Sequence, residues 1–490
     1  MRQEMQSPHH DLRWRWLAAL LTGAAVFNAL AYTAKFANPV IASDYWYFLD
    51  AFVREVRGGT LDILDFFVKR GGSDHAQPFK KLVLLANVQL ADLDLAFDAL
   101  VGFGFAFACV AVLERLLRDG LPEQRADAFY AFSAAALAAS LLTLNAGMVF
   151  DYSLIALEFS TYLIVLVTFF TAWRAMSEGA WRSYIASLVL LSLIADDTAL
   201  LTTGAVVSCC ALVAIKSGRW RAPMLAAGAA IGMHLLYLMT FAELIPQRGA
   251  MPQFAGGSNP IALLLAQDQW LALFTIPLAS SLAHLDQLQH WVPNHIVAAT
   301  WLLAGLTAVM HALFWFRALR GRVDRSTFVA TALMLLLYAY VAGIVYVRVP
   351  MFGAGYLNSP RYVFFYLLSN VALVLMAAAE YRRPMHDDGR GKTIAMLVVG
   401  LVLVLQVPLS AYSWWQGRYL LKYQQTMVQQ MLHLDAIPEN ATAACVPILV
   451  VCNYPPHRRM ETVHYLQQQH LNVFSEQFRR EHGALTAPQQ

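Results

Sequence analysis

Apolar runs of about twenty residues recur along the whole chain, separated by short polar connections in which arginine is frequent. A helix needs about 20 mostly apolar residues to cross roughly 30 Å of hydrocarbon. By that measure the pattern predicts spans near residues 15–36, 96–116, 127–144, 154–173, 183–198, 199–216, 222–242, 294–316, 326–347, 361–380 and 393–413. Asp196 and Asp197 interrupt what would otherwise be one run over 183–216, and they read as the polar tip of a tight helical hairpin. The expectation is an all-α polytopic membrane protein with about 11 transmembrane helices, since helices satisfy their own backbone hydrogen bonds in lipid.

The stretches that break this rhythm carry the remaining information. Residues 37–95 form a first loop of acids, aromatics and bases, far longer than the usual connection of about 4–6 residues. It is too apolar to be disordered, and its periodicity predicts amphipathic helices. Residues 243–294 hold a Gly/Pro-rich segment and then a semi-apolar run with Pro277 and His284. The charge map leaves this region no room to cross, so it reads as a re-entrant or interfacial helix pair that lines a cavity. Beyond the last span, residues 414–490 predict a helix over about 418–434, a strand-like run ACVPILVVC, a Pro-rich turn and an amphipathic helix near 461–469. The chain thus divides into a membrane domain over 1–413, which contains the loop, and a C-terminal extension over 414–490.

Composition agrees with this class and narrows it. Hydrophobic residues make up 58% of the 490 residues and charged ones 14%, with a mean hydropathy of +0.49, outside the soluble globular range. A net charge of +3 with bases in short runs excludes nucleic acid as a partner and reports topology instead. Arg13/Arg15, Arg115/Arg118/Arg125, Arg174/Arg182, Lys216/Arg219/Arg221, Arg317/Arg320/Arg322/Arg325 and Arg382/Arg383/Arg390/Lys392 all fall on one side of the span map. By the positive-inside rule the N-terminus is cytoplasmic, and the odd span number puts the first loop and the C-terminus outside. The first span has no small-residue cleavage site after it and reads as an uncleaved anchor. Cys109, Cys209 and Cys210 lie in spans as buried thiols, whereas Cys445 and Cys452 lie in the external tail, where a disulfide is one of two open states.

Candidate chemistry gathers outside the membrane. Asp44, in SDYWYF with Asp50 further along the same helical stretch, is either a helix cap within an aromatic interfacial belt or a general base or cation ligand facing an acceptor hydroxyl. Asp74 and His75 follow a Gly pair and precede Lys80 and Lys81. They read equally as a solvated capping loop or as a site that moves a proton and holds a phosphate. Arg348 and Arg361 bracket RVPMFGAGYLNSPRY. They suit a phosphate clamp, with Tyr356 and Tyr362 as sugar platforms, or ordinary snorkelling at helix ends. Asp151, Glu158, Asp196 and Asp197 lie near external span ends, where capping and hairpin roles compete with function. No Walker, HExxH or GxSxG motif and no zinc-spaced Cys/His cluster occurs. No internal repeat is visible either, which weakens a transporter reading.

In combination, a cytoplasmic N-terminus, an acid soon after the first span, a long external first loop, about eleven spans and an external extension resemble the GT-C superfamily. Those are polytopic glycosyltransferases that use polyprenyl-phosphate-linked sugars. The SDHAQP segment is similar to an Asp/Glu-His element of bacterial membrane proteins of the same layout. The resemblance implies a bacterial inner-membrane enzyme that moves a sugar from a polyprenyl-phosphate donor to a glycan, lipid or protein acceptor on the external face. It implies Asp44 as the essential acid of the first external loop; joined to the residue chemistry above, the expected site has Asp44, aided by Asp74 and His75, as the catalytic group and Lys80, Lys81, Arg348, Tyr356, Arg361 and Tyr362 as substrate-binding residues. The chain departs from the usual adjacent acidic pair in having one acid at that position, which leaves a divalent cation an open question and no metal ligand assigned. Two rival readings are a polysaccharide polymerase or ligase and a non-catalytic lipid or polysaccharide transporter or accessory subunit.

Overall fold

The computed structural model describes residues 8–68, 76–119, 127–196, 198–241, 270–382, 390–434 and 445–486. Among them every regular element is helical. Nine helices among the described residues are long and apolar enough to cross a membrane, which makes the chain an all-α multi-pass membrane protein. They fall within Leu12–Phe36, Leu95–Asp119, Ser153–Glu178, Ala199–Ser217, Arg221–Thr240, Pro293–Arg320, Arg325–Pro350, Pro360–Tyr381 and Arg390–Leu432. The two remaining predicted spans, 127–144 and 183–198, fall on shorter apolar helices, Ala128–Leu141 and Trp181–Ile194.

In chain order the helices are α1 Pro8–Phe36, α2 Tyr45–Phe48, α3 Arg54–Gly58, α4 Pro78–Leu90, α5 Leu95–Asp119, α6 Ala128–Leu141, α7 Met148–Asp151 and α8 Ser153–Ala156. There follow α9 Glu158–Glu178, α10 Trp181–Ile194, α11 Ala199–Ser217, α12 Arg221–Thr240, α13 Ala272–Ser280, α14 Leu285–Trp291, α15 Ile296–Arg320 and α16 Arg325–Phe352. The last are α17 Pro360–Tyr381, α18 Arg390–Leu432, α19 Pro456–Gln468, α20 Glu476–Glu481 and α21 Gly483–Thr486. Local chemistry sets many of these boundaries. Asp127 caps α6 by accepting the Tyr130 N–H at 2.7 Å, and Asp324 and Thr327 form a reciprocal capping pair at the start of α16. Gly179 and Gly218 end α9 and α11 in the left-handed conformation.

Helix α17, apolar on all sides, runs through the centre with nearly every residue buried, packed by α16, α18 and α6. On the periphery, α1, α12 and α15 leave Leu20, Phe27, Leu236 and Leu302 exposed, as helices bathed in hydrocarbon do. Where α5 backs onto α8 the chains meet at Gly102, whose added Cβ would lie 2.4 Å from the Ala156 carbonyl carbon.

The helix ends sort into two faces. On one, Arg325 bridges Asp119 and Glu178 at 2.6 Å each, Arg317 lies 3.4 Å from Glu380, and Arg382 donates to the Leu117 carbonyl at 2.7 Å. These are ends that the basic-loop map groups together. The opposite face carries the first loop, residues 142–157, the α10–α11 tip, α13 and α14, residues 353–360 and the tail.

The tail departs from the predicted pattern. The segment expected as a separate helix over 418–434 continues the last span, so that α18 is a single helix of 43 residues. The run expected as a strand is a short turn, with a 3₁₀ segment at Val450–Asn453, because no neighbouring strand is there to pair it. A disulfide joins Cys445 to Cys452. The tail and the first loop share one core, in which Trp46, Phe52 and Leu93 pack with Met431, Leu449, Leu466 and Phe478. Asn472 fastens them, its amide donating to the carbonyls of Pro39 at 2.8 Å and Leu93 at 2.7 Å. Arg54 completes the joint, 3.4 Å from Glu461 and over the ring of Tyr465.

Candidate functional site

A polar cavity of about 260 Å³ lies on the first-loop face, between the end of α1, the 145–152 turn, α14, Pro360 and the middle of α18. Two carboxylates line it: Asp286, whose side chain is 54% exposed and accepts from the Asn358 amide at 3.2 Å, and the buried Asp151, the last residue of the four-residue helix α7. That helix exists because Ala146 and Gly147 start a tight turn, and Gly147 leaves room for Tyr32. A Cβ there would lie 2.1 Å from the Tyr32 hydroxyl oxygen. The Asp151 carbonyl accepts the Asn38 N–H at 2.8 Å, which ties α7 to the exit of the first span.

Burial pushes the Asp151 carboxyl up to about 7, against the opposing pull of hydrogen bonds from its own N–H and that of Tyr152. An acid so tuned is half ionised near neutrality, the range in which a general base is most effective.

Side-chain amides fix the walls. The Asn145 amide donates to the Ser280 carbonyl at 2.8 Å, and its oxygen accepts the His284 N–H at 2.7 Å. The Gln287 amide donates to the Asn145 carbonyl at 2.7 Å, and that of Gln424 to the Phe36 carbonyl at 2.7 Å. His284 donates from Nε2 to the Asn358 carbonyl at 2.7 Å and accepts the Asp286 N–H at Nδ1, so the ring is neutral. Burial, the main influence, lowers its pKa further. The buried Oε1 of Gln287 has no hydrogen-bond partner among the described residues and lines the same cavity as Asp151. Tyr32, Tyr152, Tyr412 and Tyr423 supply aromatic surface. Amides, tyrosines and the carboxylates of Asp151 and Asp286 form a lining suited to a hydroxyl-rich ligand.

Next to it, an apolar groove of about 530 Å³ runs among α13, α15, α16 and α17, with walls of Leu273, Phe274, Pro277, Ala308, Val341 and Val345. Its polar floor is a closed chain. Trp315 donates to Tyr338 at 3.0 Å, Tyr338 lies 3.0 Å from His311 Nδ1, and His311 Nε2 lies 2.7 Å from Ser369. No residue lines both, but the same segments serve each: Ser281 lines the groove and His284 the cavity, and helix α17 contributes Ser369 to the groove and Pro360 to the cavity.

The residues singled out in the sequence are distributed unevenly around this centre. Asp44 is half-buried at the head of α2 and does not line the cavity. It adjoins Ser43, whose N–H donates at 2.7 Å to the carbonyl of Ile448, a cavity residue. Asp74 and His75 lie outside the described residues, as does Asp197. Lys80 is buried in an ion pair with Glu158, and Lys81 donates to the carbonyls of Asp65 at 2.7 Å and of Val68. Both lysines are spent on closing the first loop over the membrane domain, away from the cavity lining. Asp196 accepts the N–H groups of Ala76 and Gln77 at 3.2 and 3.3 Å and so holds the hairpin tip against the loop.

Arg361, Tyr356 and Tyr362 do come together. The guanidinium sits 5.2 and 5.1 Å from the two ring centres and donates to the Tyr356 hydroxyl, while its buried Nε has no partner among the described residues. Arg348 approaches closely enough to act electrostatically on Tyr362. Arg361 directly follows Pro360, a cavity residue.

Sequence reasoning placed Asp151 among several acids at span ends. It missed Tyr32, Asn38, Asn145, Gln287 and Gln424, although amides at span ends were a usable signal. It also missed Asp98, buried in the first turn of α5, which accepts from Tyr45 at 2.6 Å and Asn87 at 2.7 Å and pins the first loop. Among the described residues, one His/Asp/Glu group has spacing suited to a metal, Asp94, Glu481 and His482 at the joint between loop and tail. It lies outside the cavity lining and does not include Asp44. Comparison with family models, with curated proteins and with solved structures gives no match.

Proposed function

We propose that this chain is a membrane transferase that moves a sugar from a polyprenyl-phosphate donor to a hydroxyl acceptor, on the face that carries the first loop. The observation that supports this reading is an apolar groove within the spanning helices linked, through residues 281–284 and helix α17, to a cavity whose lining holds the buried Asp151 carboxylate. A substrate with a long hydrocarbon tail and a sugar head fits such a pair.

In this mechanism the hydrocarbon lies in the groove, the phosphate meets Arg361 and Arg348, and sugar and acceptor occupy the cavity. The acceptor oxygen attacks the anomeric carbon, and its proton passes to the Asp151 carboxylate. The bond from the anomeric carbon to the phosphate oxygen breaks, with the electron pair leaving on the lipid phosphate. Arg361 stabilises that charge. Asp151 thus takes the role that the resemblance assigned to Asp44. The disulfide of the tail fits an oxidising compartment and an external location for this face, as in a bacterial inner membrane with a cytoplasmic N-terminus.

The test is transfer of labelled sugar from a panel of polyprenyl-phosphate sugars by purified protein, comparing wild type, Asp151→Asn and Asp44→Asn, with and without EDTA. Loss in Asp151→Asn with retention in Asp44→Asn supports the assignment. The reverse returns the base to Asp44, and no turnover from any donor by folded protein favours a transporter or accessory subunit.

A further inference from the structure

At the opposite ends of α5 and α9 a second groove, of about 660 Å³, opens on the face where the basic loops gather. Its inner walls are apolar and belong to spanning helices, with Ala111 and Val112 from α5 and Val167 and Phe170 from α9. Its mouth is ringed by Arg115, Arg174 and Arg325, set against two carboxylates, Asp119 and Glu178.

The pairing among these five groups is incomplete. The terminal nitrogens of Arg325 hold Asp119 and Glu178 at 2.6 Å each, and Arg174 donates to Glu178 at 2.8 Å. By formal charge three guanidiniums face two carboxylates, so the mouth keeps one net positive charge. Arg115 stands 3.9 Å from Asp119, beyond hydrogen-bond reach, and its side chain is 75% exposed. The Arg325 Nε is buried without a hydrogen-bond partner among the described residues, while its guanidinium lies 5.0 Å from the centre of the Phe170 ring. The two carboxylates of the mouth thus leave the Arg325 Nε without an acceptor among the described residues and Arg115 without a close one.

We infer that this groove seats an anionic phospholipid. Its phosphodiester meets Arg115, Arg174 and the Nε of Arg325, and one acyl chain runs along Val112, Val167 and Phe170. The charge matches, one phosphate against one excess guanidinium, and the apolar walls specify a lipid over a free phosphate. The site lies a helix length from the Asp151 cavity, roughly 30 Å at 1.5 Å per residue, and does not depend on the transferase reading.

The experiment is native mass spectrometry of the full chain released from nanodiscs of phosphatidylcholine containing graded phosphatidylglycerol. Wild type, Arg115→Ala/Arg174→Ala and Ala111→Trp are compared, the last filling the groove with every charge kept. Wild type is expected to retain one phosphatidylglycerol in preference to phosphatidylcholine. The double variant should weaken that preference by about thirtyfold, each basic group near an anionic surface being worth about fivefold. Ala111→Trp should lose the adduct as well, and inorganic phosphate should not displace the lipid from wild type. Equal retention of the two lipids by wild type would overturn the proposal. So would an adduct that survives in Ala111→Trp or yields to inorganic phosphate, since either marks a headgroup site without a lipid seat.

Discussion

Replacing Asp151 with asparagine keeps the shape of the side chain and removes its charge. The oxygen of the new amide can still accept the N–H groups of residues 151 and 152, so the turn that carries α7 is preserved. In the folded protein the carboxyl titrates at about 7, against 3.8 ordinarily. Between those two pH values the folded state holds a proton that the unfolded chain has released. Stability therefore falls as pH rises through that window and levels off above about 7. Each pH unit of the interval is worth about 1.4 kcal/mol, so wild type carries a penalty of about 4 kcal/mol at pH 8.5 that is largely absent at pH 4. Asp151→Asn should lift it. Thermal unfolding of both proteins in one detergent, across pH 4.5 to 8.5, should show a variant close to wild type at the acid end and progressively more stable toward the alkaline end. Transfer should meanwhile be lost, since a charge kept in a buried site at the expense of the fold is kept for its chemistry. A stability difference that does not change with pH, or a variant less stable than wild type at pH 8.5, would refute the burial argument.

Breaking the buried Lys80–Glu158 pair from one side, in Lys80→Met or Glu158→Leu, should cost about 3–5 kcal/mol, whereas Lys80→Met/Glu158→Leu should recover most of it; a thermal double-mutant cycle measures the coupling. Gly102→Ala forces a methyl into the Ala156 backbone and should destabilise by about 1–3 kcal/mol or more, visible as a lowered thermal midpoint and lower yield in membranes. Cys445→Ser/Cys452→Ser opens an eight-residue loop in the tail core and should cost about 2.5 kcal/mol locally, with faster proteolysis of the tail and little change in the membrane helices. Arg361→Lys should keep the charge but lose the seat between Tyr356 and Tyr362, raising KM for a phosphate-bearing donor more than it lowers kcat.

The spans were legible because the chain must carry their signal locally. A backbone in hydrocarbon has to bond within its own helix, so each crossing requires its own apolar run, and each basic loop marks its side. That is why nine of the eleven predicted spans coincide with helices long enough to cross, and the other two, 127–144 and 183–198, with shorter apolar helices. The Arg361–Tyr356–Tyr362 cluster was legible for a related reason, its members lying within seven residues of one another. The tail failed at its apolar run, where hydrophobicity alone cannot distinguish a strand from a buried turn, and at α18, which crosses the predicted span boundary without a break.

What only the tertiary structure decided is which polar groups meet. Lys80 and Glu158 are 78 residues apart, and Asn472 reaches Pro39 across 433. The acids near the span ends are much alike in sequence. Asp98 accepts from Tyr45 and Asn87, Asp196 holds two backbone N–H groups of the first loop, and Glu158 is paired with Lys80, whereas Asp151 opens onto a cavity. Burial and pairing are properties of the assembled helices, and they separate a structural acid from one available for chemistry.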